Sequence, residues 1–185
     1  RLFPADLADR AAAAALAEDA CRKMGGLALL VNNASVFEKR ALRETSAADL
    51  DATLAVNFFA PFLLTRHFAA QGTPGQVINI LDSKLGEHNP DFAAYLISRR
   101  MLADWTRLAA LEYAPRVRVN AIAPGFTLPP GTVPPGLRLP DPARLPLGRA
   151  ITPAAIAETV LYLEKNPALT GEIIFVDGGE HLCRS

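Results

Sequence analysis

Two cysteines, Cys21 and Cys183, are all the thiol chemistry the chain carries. They stand far apart and in no Cys-x-x-Cys or Cys/His pattern. That excludes a disulfide framework and a thiolate zinc centre, and it points to free thiols in a reducing compartment. Neither charge is in excess, because 19 basic residues balance 19 acidic ones. A nucleic acid or an anionic membrane surface therefore finds no electrostatic footing. The three histidines, His67, His88 and His181, have no ligand spacing, so no metal site is expected; a substrate contact stays open for His88. Within residues 1–30 the alanine run 11–15 is bounded by charged residues on both sides, so a signal peptide or membrane span is not expected there. No glycine-rich Gly-x-Gly-x-x-Gly turn occurs anywhere, and no internal repeat or low-complexity linker divides the chain.

Half of the 185 residues are hydrophobic and 21% are charged, enough apolar matter for one globular domain over residues 1–185 with a sizeable core. Short apolar runs at 27–31, 77–81 and 121–123, bounded by Gly, Asn or Pro, have the pattern of strands buried on both faces of a parallel sheet. A further strand is expected over 172–176. Between them lie helical stretches: an Ala/Leu/Glu-rich one ending at Gly25-Gly26, and one opened by Thr45 or Ser46 with Asp49 in its first turn. Another runs over about 91–113, and a fourth is opened by Thr152 and Pro153. Residues 5–7 read as a strand end. Pro61 is expected to bend its helix, and Arg118 to sit on a solvated strand end. Alternating strands and helices predict an α/β, doubly wound parallel sheet with helices on both faces.

The stretch around Tyr95 carries the chemistry. Tyr95 and Arg99 are four apart on a predicted helix, so a guanidinium can lie against a phenol; that pairing predicts a lowered tyrosine pKa. Asp82 or Ser83, in the turn after the preceding strand, can complete a proton-handling cluster. The plainer reading is a half-buried tyrosine beside a solvated arginine. Asn57 lies in the middle of an apolar helix face and needs hydrogen-bond partners if buried.

Six segments, in order, resemble the short-chain dehydrogenase/reductases: Val31-Asn-Asn-Ala-Ser35, Ile78-Asn-Ile-Leu-Asp-Ser-Lys84, Ala94-Tyr-Leu-Ile-Ser-Arg99, Val117-Arg-Val-Asn-Ala-Ile-Ala-Pro-Gly125, Thr170-Gly171 and Val176-Asp-Gly-Gly179. Within that family the chain is most similar to the pteridine reductase and dihydromonapterin reductase branch. Asn-Asn-Ala-Ser replaces the usual Asn-Asn-Ala-Gly, Phe37 follows it, and Asp82 stands thirteen before the tyrosine, where a serine is usual.

The resemblance implies a Rossmann-like fold and a cytoplasmic, NADPH-dependent reductase of a dihydropterin or dihydrofolate-like small molecule, assembled as a homodimer or homotetramer. Catalysis would fall to Asp82, Tyr95, Arg99 and Asn57, with Asn57 in a structural and proton-relay role. The cofactor would touch Asp6, Leu7, Asn33, Ala34 and Ser35 on one side, and Tyr95, Arg99, Pro124, Gly125, Phe126 and Thr127 on the other. Ser35, Phe37, Asp82 and Tyr95 would face the substrate, with Phe37 stacking on the pterin. The proline-rich stretch 128–147 would be a substrate lid. Two departures stand out. The family has lysine where this chain has Arg99, which keeps its charge and loses the relay. The pyrophosphate-binding glycine turn is absent, and a complete version of the fold would carry a further strand-helix-strand unit of roughly 30 residues in front. Both departures keep open a second reading, a non-catalytic member serving oligomer assembly. A third is a general carbonyl reductase of the same family.

Overall fold

The computed structural model describes residues 1–128 and 141–183. Helix α1 (Arg10–Met24) starts at Asp9, whose side chain accepts from the backbone N–H groups of Ala11 and Ala12, and stops at Gly25, in the left-handed conformation at φ 73°. Its alanines are strong helix formers, and two of them, Ala13 and Ala17, are buried as α1 packs on α3 (Ala60–Ala70).

Helix α2 (Ala47–Leu54) begins with a reciprocal capping box between Ser46 and Asp49. It runs through a π turn, Ala55–Phe59, into α3. Pro61 has no N–H to offer the carbonyl one turn back, and the widened turn absorbs that loss at the place where the sequence predicts a bend. The 24 residues from Ala47 to Ala70 are long and apolar enough, by length and composition, to cross a membrane. Here the run buries Asn57, Thr65 and Phe68 inside the fold.

Four parallel strands form one sheet in the order β1 (Leu29–Asn32), β2 (Gly75–Ile80), β3 (Val117–Pro124), β4 (Ile173–Val176). Asn32, Asn79, Ala121 and Ile173 stand in one row across it. The two-residue period of a strand splits the core. Val77, Val119, Leu81 and Ala121 pack against Phe68 of α3 and Leu102, Ala109 and Ala110 of α4 (Ala93–Tyr113). Ile78 and Ile122 face the other way, onto Leu163 of α5 (Pro153–Lys165), with Ile156 and Val160 around them. Helices therefore cover both faces, and each fully buried aliphatic side chain contributes about 1.5–3 kcal/mol.

Three local expectations are corrected. Residues 5–7 form no strand; Asp6 accepts a bond from Ala8 N–H at 2.9 Å and the chain turns into α1. The run 27–31 is not buried on both faces: its strand starts at Leu29, lies at the edge of the sheet and leaves Val31 38% exposed. Arg118 is not solvated. Its guanidinium donates to the carbonyls of Leu163, Glu164, Asn166 and Leu169 and to Gln76 Oε1, so it ties the C-terminal end of α5 to the sheet. A cation at the negative end of a helix dipole, with its N–H groups on the last carbonyls, is the favourable arrangement there.

Candidate active site

Because all strands are parallel, their C-terminal ends share one edge, where open α/β sheets present ligand-binding residues. Asn33, Ala34 and Ser35 leave β1 there, Asp82 follows β2, Gly125 follows β3 and Asp177 follows β4. A buried polar chain sets the first two side by side: Asn32 Nδ2 donates to Asn79 Oδ1 at 2.8 Å, and Asn79 Nδ2 to Thr106 Oγ1 of α4 at 2.9 Å.

Tyr95 is buried on the first turn of α4, and its hydroxyl donates to Asp82 Oδ2 at 2.7 Å. The other Asp82 oxygen accepts from Lys84 N–H at 2.7 Å, which fixes the carboxyl in its turn. Ser83, the alternative in the sequence, points elsewhere and donates to Glu180 Oε2 at 3.1 Å. Arg99 is 3% exposed, its guanidinium carbon 5.2 Å from the Tyr95 ring centre, with one N–H on the Ile80 carbonyl at 3.2 Å.

The expected lowering of the Tyr95 pKa is overturned. Burial raises it well above the ordinary tyrosine range, Asp82 raises it further by charge and by hydrogen bond, and the opposing pull of Arg99 is too small to reverse them. The phenol keeps its proton at neutral pH.

Asn57 is fully buried. Its Oδ1 accepts from Val36 N–H at 2.8 Å, and its Nδ2 donates to the Val36 carbonyl at 2.9 Å and to Ser98 Oγ at 3.1 Å. Ser98 Oγ in turn donates to the Tyr95 carbonyl at 2.6 Å. Asn57 thus reaches Tyr95 through backbone and Ser98, and both amide donors are already engaged. Phe37 lies over the cluster: its ring stacks on Phe92 at 4.8 Å and meets Tyr95 edge-on at 4.7 Å.

The residues expected at the cofactor fall into three groups. Leu7, Asn33 and Ala34 line one mostly apolar hollow of about 300 Å³ between α1, α3 and the β1 edge. Asp6 and Ser35 are exposed near it in sequence, with Ser35 Oγ donating to the Val36 carbonyl. Pro124, Gly125, Phe126 and Thr127 form the half-buried corner after β3. Gly125 donates to the Val176 carbonyl at 3.0 Å, and Thr127 Oγ1 donates back to the Gly125 carbonyl. A Cβ on Gly125 would lie 2.8 Å from the Asp177 backbone, so the C-terminal turn seats directly on this corner. In that turn Asp177 accepts from Gly179 N–H and from both the N–H and Nδ1 of His181. Burial pushes its carboxyl up, and these hydrogen bonds hold it below the usual range regardless.

One orphaned atom bears on whether these residues fit a nicotinamide cofactor. Among the described residues Arg99 Nε is buried without a partner, and a buried guanidinium with an unused donor fits the hydroxyl-rich end of such a molecule. His88 is exposed in the loop between Asp82 and Tyr95. Of the stretch 128–147, residues 129–140 lie outside the described residues; Pro146 and Leu147 dock on the Gly178–Gly179 turn.

Ser98, Phe92 and Glu180 contact the candidate residues Asn57, Phe37 and Ser83, and sequence reasoning missed them. Ser98 carried a signal, a small polar residue one turn after the tyrosine in a helix with an otherwise apolar inner face. Phe92 carried none short of the fold, whereas Glu180 belongs to the ending Val176-Asp-Gly-Gly-Glu-His-Leu182, which is itself similar to the pteridine reductase branch.

The geometry agrees with what the chain is similar to. Residues 1–181 match the family profile described as enoyl-(acyl carrier protein) reductase. An uncharacterized oxidoreductase of Mycobacterium tuberculosis is 38% identical over 95% of this chain and 70% of its own length. The 3-oxoacyl-[acyl-carrier-protein] reductase FabG of Thermotoga maritima is 32% identical over 94% of this chain and 74% of its own. Among solved structures, FolM alternative dihydrofolate reductase 1 from Brucella canis, complexed with NADP, superposes with a TM-score of 0.87 at 35% identity. That match covers 99% of this chain and 73% of the other. The chain belongs to the short-chain dehydrogenase/reductase family of NAD(P)H-dependent oxidoreductases.

Proposed function

We propose that the protein is an NADPH-dependent reductase of a dihydropterin or dihydrofolate-like substrate. The observation that carries this reading is the hydrogen bond from the Tyr95 hydroxyl to the Asp82 carboxyl beneath the ring of Phe37. A carboxyl beside the proton donor suits a pterin, whose ring NH and amino group need acceptors, better than a serine hydroxyl would. The likeness to FolM dihydrofolate reductases from two Brucella species, both in complex with NADP, supports the same substrate class and the same cofactor.

In this reading NADPH, when bound, supplies the hydride. Arg99, the Leu7–Asn33–Ala34 wall and the 124–127 corner would hold the cofactor. Tyr95, protonated at working pH, gives its proton to the reduced C=N unit. Arg99 offsets the charge left on the phenolate but supplies no proton itself. Asp82 orients Tyr95 at rest and accepts from the substrate's N–H groups during turnover. Asn57 and Ser98 hold the helical turn that bears Tyr95.

The exposed apolar side of α4, with Leu108 64% and Leu111 80% exposed, supports a homodimer or homotetramer built on that helix, and the free thiols fit a cytoplasmic enzyme. The reading is tested with Phe37→Ala. It should raise KM for a dihydropterin about twofold to tenfold while leaving a small aliphatic ketone unaffected, since loss of a stacked ring costs about 0.5–1.5 kcal/mol. Unchanged pterin kinetics would favour a general carbonyl reductase.

A further inference from the structure

Phe92 occupies the N-cap position of α4, where Ser, Thr, Asp or Asn would bond the first helical turn, and its side chain makes no such bond. The ring there serves something else. It lies parallel to Phe37 within 7°, at 4.8 Å, while Phe37 meets Tyr95 at 82° and 4.7 Å. Both distances are those of favourable aromatic pairs.

The strap that carries Phe37 has no regular structure, yet it is tied down on both sides. Asn57 clamps Val36 through two hydrogen bonds, and beyond Phe37 the N–H groups of Arg40 and Leu42 donate to the carbonyls of Asp91 and Pro90. Arg40 and Phe92 form an isolated parallel bridge, and Lys39 faces Asp91 at 3.6 Å. The segment bearing Phe37 and the segment entering the catalytic helix are therefore one hydrogen-bonded unit. Phe37 is still 45% exposed, so without a stacking neighbour its ring would turn in solvent.

We propose that Phe92 is a positioning and specificity residue: by stacking on one face of Phe37 it fixes that ring's plane relative to Tyr95 and Asp82, so that the exposed part of Phe37 meets a flat, conjugated substrate ring in a set orientation. The inference rests on the dihydropterin reading and deepens it. A flat heterocycle gains the whole stacking contact in one orientation, with its edge set toward the Tyr95 hydroxyl. A puckered, saturated ring gains little from a held aromatic plane, so the Phe37–Phe92 pair discriminates between the two classes.

The test uses the full chain with NADPH, 7,8-dihydrobiopterin as the flat substrate and cyclohexanone as the puckered one. Phe92→Leu removes the ring while keeping an apolar side chain, Phe92→Tyr restores a ring, and each is also made in a Phe37→Ala background. The structure predicts that Phe92→Leu raises KM for the dihydropterin about fivefold to tenfold, the size of one lost aromatic pair, with kcat within about twofold. Phe92→Tyr returns KM to the wild-type value, cyclohexanone kinetics do not change, and Phe92→Leu adds nothing once Phe37 is alanine. An unchanged KM, an equal rise for both substrates, or a full additive rise in the Phe37→Ala background overturns the role of Phe92. Binding of oxidised biopterin, followed by its fluorescence, separates this from the parent reading. A wild-type protein that binds the pterin without reducing it contradicts the reductase function, and the same variants then test Phe92 through Kd. A protein that neither binds nor reduces it overturns both.

Discussion

The hydroxyl of Tyr95 donates to Asp82 Oδ2 at 2.7 Å while the guanidinium of Arg99 lies 5.2 Å from the centre of the same ring. The two neighbours act on the phenol in opposite directions. A carboxyl that accepts its proton favours the neutral form, and a cation favours the phenolate. Burial sides with the carboxyl, so the result is a tyrosine that holds its proton through the neutral range.

This sign can be measured. Ionisation of Tyr95, followed as the tyrosinate absorbance difference between wild type and Tyr95→Phe, should begin above the ordinary value of about 10. Asp82→Asn removes a charge that raises the pKa and should move the transition to lower pH; Arg99→Met removes a charge that lowers it and should move the transition up. Shifts of the opposite sign would refute the arrangement.

Replacing Tyr95 by Phe removes the proton donor and almost none of the packing. Turnover should fall by about 10²-fold or more, the usual worth of a positioned acid, while the thermal midpoint stays within a few degrees. Stopped-assay rates beside a melting curve check both halves.

The order of elements was legible in the sequence because it rests on local signals. Ser46 with Asp49, Thr152 with Pro153, and the apolar runs around Ile78 and Ile122 mark starts and strands that the structure keeps. The turn after β2 left Asp82 and Ser83 open as partners of Tyr95; the family resemblance singled out Asp82, which is the residue that reaches the hydroxyl. What the sequence could not rank were competing long-range effects. The pull of Arg99 on Tyr95 follows from four residues of helix, but the burial that outweighs it comes from strands and straps far along the chain. Arg118 reads as a solvated alternating residue until α5 is seen to end over it, and the exposure of Val31 depends on its place at a sheet edge. Phe92 reads as one more apolar residue before a helix, and only the return of the 36–42 strap gives it a partner.

Asn57 should prove a structural residue first. Asn57→Ala leaves the Val36 N–H, the Val36 carbonyl and Ser98 without their partner in a buried place. A cost of about 1–3 kcal/mol per unsatisfied group predicts a loss of several kcal/mol in urea unfolding, together with a rise in the dihydropterin KM as the Phe37 strap loosens. Ser98→Ala, which breaks the link to the Tyr95 carbonyl and removes one acceptor of the Asn57 amide but leaves both Asn57 bonds to Val36, should cost less and spare KM.

The C-terminal turn offers a separate prediction. Gly179 has φ 86°, and a Cβ there would stand 2.9 Å from Pro146, so Gly179→Ala is strained twice over, in its backbone and against its neighbour. Destabilisation by about 1–3 kcal/mol is expected from the backbone conformation alone. Asp177 adds a pH signature: its folded pKa is depressed, so its contribution is present above the unfolded carboxylate value of about 3.9 and is lost as pH falls through the lower folded value. Asp177→Ala should flatten the acid limb of the stability curve, which denaturation at pH 3 to 7 would record; those pH values span roughly the carboxylate range.

The central claim is reduction of a pterin by the Asp82–Tyr95–Arg99 cluster, and NADPH oxidation with 7,8-dihydrobiopterin tests it most directly. The account predicts cofactor oxidation that depends on the dihydropterin, disappears in Tyr95→Phe and weakens in Phe37→Ala. Wild-type protein that binds NADPH and oxidises it with simple ketones but not with the dihydropterin, or Tyr95→Phe protein that turns over at the wild-type rate, would contradict it.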